Sequence, residues 1–270
     1  MAPSVRLLYT ADGGGRAGIR FLVAREGNEI ALTRGSADAS PVYDPASGWV
    51  VFASRETGSW DLWRVRLSGE ERTRLTSTPG VDERWPAVSP DGRTLFFTST
   101  AGGAPQIHRS ALDGSGASPL TSGPAPHSRA APDSSGARLA ALEGGGGESD
   151  GARLVWVDAA SGAVSPVPGT DGAPPLGRPA VRRDGTLAYA CPGEGGADVC
   201  VVSGGESAGR LVGGPGAERD PAWSPDGARL VFSSDREDGN VELYTSRADG
   251  SDVRRLTEER GMDAEPFWVP

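Results

Sequence analysis

The chain carries few residues able to do covalent or acid–base chemistry, and their spacing decides what that chemistry would be. His108 and His127 are the two imidazoles among 270 residues, too few for most metal or acid–base constellations. Cys191 and Cys200 lie nine positions apart, which fits no zinc-ligand spacing. Oxidised, the pair would be a disulfide and place the protein outside the cytoplasm; reduced, the two are small apolar fillers. Gly205-Glu206-Ser207-Ala208-Gly209 matches the G-x-S-x-G nucleophile elbow, but that motif needs a strand before it and a helix after it. Here it falls in a turn between short apolar runs, with both imidazoles in earlier repeats. The acidic stretch 234–240 lacks the alternating oxygen ligands of a calcium loop. The glycine run in 143–150 would cradle phosphate only ahead of a helix, and none is signalled. No catalytic residue, metal or cofactor is assigned.

The elements around these residues repeat. Asp220-Pro221-Ala222-Trp223-Ser224-Pro225-Asp226-Gly227 is echoed by Trp85-Pro86-Ala87-Val88-Ser89-Pro90-Asp91-Gly92, with weaker copies anchored at Pro41, Ala130, Pro179 and Pro266. Each anchor leads into an apolar run with columns Leu7/Tyr9, Val50/Phe52, Leu95/Phe97, Leu139/Ala141, Leu187/Tyr189 and Leu230/Phe232. A second run follows (Leu62-Trp63, Leu243-Tyr244), then a third (Leu75-Thr76, Leu256-Thr257). Runs of roughly four to six residues split by Asp-Gly, Ser-Gly and Gly-Gly are strands, too short and punctuated for helices.

Units of about 45 residues with four antiparallel strands each predict an all-β, six-bladed β-propeller in a single domain. The blades fall at about 4–33 plus 263–269, 38–76, 83–121, 127–168, 176–212 and 218–257. The first unit lacks an anchor strand and the sequence reaches a sixth anchor at Pro266, so the C-terminal strand is expected to pair with the first blade and close the ring, leaving no open edge.

Twenty-seven basic against 36 acidic side chains give a net charge of −9, which argues against a protein whose task is gripping phosphate backbones. Every basic residue is Arg, a compositional bias from which no function is read. No apolar stretch approaches the ~20 residues of a membrane-spanning helix, and residues 1–10 show no signal architecture.

The run Pro-x-Trp-Ser-Pro-Asp-Gly, then Leu230-Val231-Phe232-Ser233-Ser234-Asp235-Arg236, Glu242-Leu243-Tyr244, Asp249-Gly250 and Arg255-Leu256-Thr257 resembles the WD-repeat-like blades of TolB-type propellers. The resemblance is close in blades three and six, and degraded in four and five. It implies a non-catalytic, monomeric scaffold that binds a protein or peptide in the bacterial periplasm or another extracytoplasmic space, and it favours the oxidised state of Cys191 and Cys200. A cytoplasmic location stays open. Two other readings also stay open: a propeller-class hydrolase, lactonase or glycosidase, using carboxylates at the channel mouth, and a regulatory propeller cut from a prolyl-oligopeptidase-like peptidase.

Chain direction puts the Pro-Asp-Gly turns on one face and the longer, more varied loops on the other, where binding is expected. Three positions before each anchor, Asp38, Glu83, His127, Leu176, Glu218 and Asp263 are expected to ring the channel mouth at that loop-rich face. One position before come Ser40, Trp85, Arg129, Arg178, Asp220 and Glu265. Arg55, Trp60 and Arg236 are candidate exposed anchors for a partner. The competing structural reading has these carboxylates and guanidinium groups capping backbone and pairing with one another. His108 stands in a column held elsewhere by Trp63, Trp156 and Tyr244, and reads as a core substitute.

Overall fold

The computed structural model describes residues 5–24, 28–35, 37–145, 151–170 and 175–270. The far part of the glycine run, 146–150, lies outside the described residues. Six four-stranded antiparallel sheets follow one another round an axis, and no helix occurs among the described residues. The innermost strands are Met262–Trp268, Asp38–Asp44, Glu83–Val88, His127–Pro132, Leu176–Val181 and Arg219–Trp223, for blades one to six in order.

Ring closure is as the repeat phase requires. Met262–Trp268 pairs antiparallel with Arg6–Asp12, Leu7 opposite Trp268 and Ala11 opposite Asp263. Two further bonds extend the zip, from Val269 N to the Arg6 carbonyl at 2.9 Å and from the Arg6 guanidinium to the Pro270 carbonyl at 2.5 Å.

The apolar columns form the core by packing blade on blade. Leu8, Ile19 and Phe21 of blade one meet Val50, Phe52 and Val65 of blade two. Ala188 and Val199 of blade five meet Leu230, Phe232 and Tyr244 of blade six. Each interface is a sheet-on-sheet contact, so a chain of modest hydrophobicity buries both faces of every blade.

The recurring polar residues have equally local reasons. The threonine closing the third run accepts a hydrogen bond from the backbone N–H of the preceding strand: Thr33 from Ile19, Thr76 from Leu62, Thr121 from Ile107 and Thr257 from Leu243, all at 2.9–3.0 Å. In the turns, Ser224 Oγ donates to Asp226 at 2.6 Å and accepts from Arg229 N at 2.9 Å. Gly227 follows at φ +69°, the left-handed conformation that makes glycine the favoured residue there. Cys191 and Cys200, on adjacent strands of blade five, are joined by a disulfide with Cα atoms 5.8 Å apart. The G-x-S-x-G segment occupies the turn between Gly196–Val202 and Gly209–Val212.

Candidate functional site

The innermost strands all carry a register shift just before the anchor residue. In five blades the residue one position before the anchor adopts a left-handed backbone although it is not glycine: Ser40 at φ 56°, Trp85 at 51°, Arg129 at 58°, Asp220 at 50° and Glu265 at 53°. In blade five the same break falls one residue earlier, at Gly177, φ +79°. Such a bulge re-aims the side chain and interrupts the ladder. Two of the freed N–H groups are caught by the preceding blade, Ser40 N by Thr10 Oγ1 and Arg129 N by Thr98 Oγ1, both at 3.1 Å.

These bulge residues form a layer across the channel. Ser40, Trp85, Arg129, Arg178, Asp220 and Glu265 all border one cavity of about 390 Å³, within the ~300–1,000 Å³ range of ligand sites. From that layer the lining continues only downstream, through Pro179, Pro221 and Pro266, then Val181, Trp223, Phe267 and Trp268, to the turn residues Pro90, Ser134, Arg183 and Pro225. The cavity is therefore a cup that opens on the face of the Pro-Asp-Gly turns. Its walls are apolar and aromatic, and its floor is polar.

The floor is charge-separated. Arg129 and Arg178 occupy neighbouring blades, as do Asp220 and Glu265. The Arg129 guanidinium lies 4.4 Å over the Trp85 ring. Arg178 reaches past blade four to donate to the Pro86 carbonyl at 3.3 Å. Glu265 accepts from Ser40 N at 2.7 Å, Ser40 Oγ at 2.8 Å and Thr10 Oγ1 at 2.8 Å. Burial, with nearby Glu265 adding to it, pushes the Asp220 carboxyl above its usual range, and desolvation lowers the Arg178 guanidinium.

The layer two residues upstream does not ring a mouth. Asp38, Glu83, His127, Glu218 and Asp263 are 0–4% exposed, none borders the cup, and each is engaged by polar groups around it. Asp38 pairs with Arg72 at 3.0 Å. Glu83 accepts from Thr76 and Thr78, and burial raises its pKa, with Asp61 adding to the shift and Arg74 opposing it. His127 Nδ1 sits 3.1 Å from Gln106 Oε1 and Nε2 sits 3.4 Å from Glu143 Oε1, while burial lowers its pKa. Glu218 accepts from Ser234 Oγ at 2.9 Å and pairs with Arg236 at 3.0 Å. Asp263 faces Arg16 at 3.3 Å, and burial lifts its carboxyl to about 6.

Of the candidate exposed anchors, Arg55 is exposed, whereas Trp60 is half-buried on the cluster between blades two and three with Arg84 4.4 Å over its ring. Arg236 corrects the sequence expectation. It folds back from its loop onto Glu218, and only 14% of its side chain is exposed. His108 is half-buried, tilted against Phe97 at 5.7 Å between ring centres.

Residues 6–165, more than half of the chain, match the family described as the TolB beta propeller domain. The chain belongs to that family. Over 246 residues, 84% of this chain, it is 30% identical to Tricorn protease homolog 1 of Streptomyces coelicolor, of which the match covers 22%. Over 46 residues, 17% of the chain, it is 46% identical to the Tol-Pal system protein TolB of Bordetella pertussis, covering 10% of that protein. It thus spans a small part of these curated relatives. A crystal structure of TolB from Acinetobacter baumannii superposes with a TM-score of 0.82 at 22% identity, over 98% of this chain and 67% of that one. This TolB-type propeller accordingly shares its fold with a structure of which it covers about two thirds.

The bulge layer is what sequence reasoning missed. Its residues occupy the right column, but on a regular strand positions one and three before the anchor face the same way, and only the bulge separates them. The one visible signal is Gly177, where the strand breaks with a glycine.

Proposed function

We propose that this TolB-type propeller is a non-catalytic scaffold that binds a protein or peptide partner, with the cup on the turn face as the contact surface. The observation that carries this reading is the cavity itself: walls of proline and aromatic side chains over a polar floor, the composition of a site that grips an apolar segment and fixes its register. Of the residues singled out in the sequence, Arg129 and Arg178 belong to this surface. Arg55 and Trp60 lie towards the opposite, loop-rich face and would serve a second contact. The Cys191–Cys200 disulfide and the kinship with Tol-Pal proteins support an extracytoplasmic location, and the closed ring supports action as a single copy.

Site-specific crosslinking tests the reading. A photoreactive residue at Val181, on the cup wall, should capture a discrete partner in cells, whereas one at exposed Val164 on an outer strand should not. Equal labelling at both positions overturns the assignment of the face.

A second reading is favoured by the match along 84% of the chain to part of a protease: the propeller would guard or feed a peptidase within a longer polypeptide. The reading frame on either side of the chain tests it, an adjoining peptidase domain being the expected result.

A further inference from the structure

We propose that the cup recognises the C-terminal carboxylate of a peptide, with the Arg178 guanidinium as the receiving group and Arg129 beside it. This rests on the peptide-binding reading above and names the part of the peptide that enters.

Arginine carries five N–H donors and no acceptor. Arg178 gives one hydrogen bond, at 3.3 Å, to a neutral carbonyl, and its relations to Asp220 and Glu265 are long-range electrostatic ones. None of the ion pairs within 4 Å among the described residues includes Arg129 or Arg178. Arg178 is half-buried at the floor of the cup with donors left over, and it borders the cavity, where a bound group could supply the acceptors. A planar carboxylate matches its fork and can accept from two N–H groups at once.

The acidic half of the floor does not cancel this. Glu265 is already occupied by three neutral donors, and burial holds Asp220 towards its protonated form. An incoming ammonium group would find Glu265 already engaged, whereas an incoming carboxylate finds two arginines on adjacent blades that make no ion pair within 4 Å. The shape selects a chain end. Lining residues stop at the bulge layer, and Arg178 reaches across that layer to Pro86, so a peptide entering from the turn face meets the arginines with its leading end. The proline and aromatic walls then suit apolar side chains at its last positions.

The test uses the full chain and three tripeptide pools ending in Phe, Leu or Pro: free acids, C-terminal amides, and amides carrying an internal Asp. Binding is read by calorimetry and by fluorescence of the cup tryptophans. The free acids should bind at least tenfold more tightly than the plain amides, and Arg178→Gln should reduce them to the amide level while Arg178→Lys restores part of the gap. Equal affinity of acids and amides overturns the carboxylate proposal but leaves the peptide-binding cup standing. Equal affinity of free acids and Asp-bearing amides overturns the choice of a chain end. Failure of every pool to bind overturns both readings. The comparison of acids with amides needs no variant, so it decides even where a substitution impairs folding.

Discussion

Two rings of side chains, separated by two residues along each innermost strand, meet opposite fates. The upstream ring, Asp38, Glu83, His127, Glu218 and Asp263, is buried and engaged by Arg, Thr, Ser and Gln around it. The ring nearer the anchor, Ser40 through Glu265, borders open space and keeps donors to spare. What separates them is backbone, not composition. Both rings hold acids and bases, but a left-handed residue in each strand turns the second ring out of the ladder and into the channel. Strained positions of this kind persist where the surroundings over-determine them, and they gather at sites of function.

Removing residues 262–270 takes one member from both rings together with Phe267, Trp268 and Val269 of the core, so the largest effect is expected here. The truncated chain should lose its cooperative melting transition in calorimetry, and an unchanged transition would break the account of closure. Within one blade, Glu218→Ala should cost about 3–5 kcal/mol in urea unfolding, because it strands the largely buried Arg236 without its partner. Asp220→Ala, two residues on, should cost far less, and equal costs would erase the distinction between the rings.

Asp263 sharpens the comparison through pH. Its carboxyl titrates at about 6 in the folded state, above the ~3.8 of an unfolded chain. The folded state therefore holds the extra proton between those values. Stability contributed by this group is full below about pH 4 and is lost as pH rises through 6, by roughly 1–3 kcal/mol. The groups facing it are Arg16, Glu242, Thr257 and Glu29. Asp263→Asn should flatten this part of the pH–stability curve. Smallest of all, Arg178→Gln should leave the melting temperature of the unliganded protein within a few degrees of the parent, since the replaced group is under-partnered. A large loss would move Arg178 into the structural ring.

Much of the fold was legible because each blade repeats its instructions. The anchors and the apolar columns state the strand order blade by blade, the Leu-Thr endings repeat it in four of the six, and the displaced sixth anchor states the closure. The site was half legible. Arg129 and Arg178 could be singled out, but the mouth was drawn through Asp38, Glu83 and their equivalents, because a regular strand would expose both rings and five of the six bulges occur at residues with no glycine to betray them. Arg236 was misjudged for a related reason. Its loop position suggests solvent, whereas Glu218, just ahead of the innermost strand, and Ser234, at the end of the next, receive it. Loop variety points to one side of the disc, whereas the cavity opens on the other.

The pairing of Arg6–Asp12 with Met262–Trp268 joins segments about 250 positions apart, and it sets an order of events during synthesis. Arg6–Asp12 is synthesised about 250 residues before the strand that pairs with it, and its inner edge stays bare over that interval. Loop-closure entropy must then be overcome in one late step. The ring is thus assembled like a bracelet, five links formed along the way and the fastening left to the segment Met262–Trp268, so anything that shields that waiting edge governs how much protein reaches the finished form.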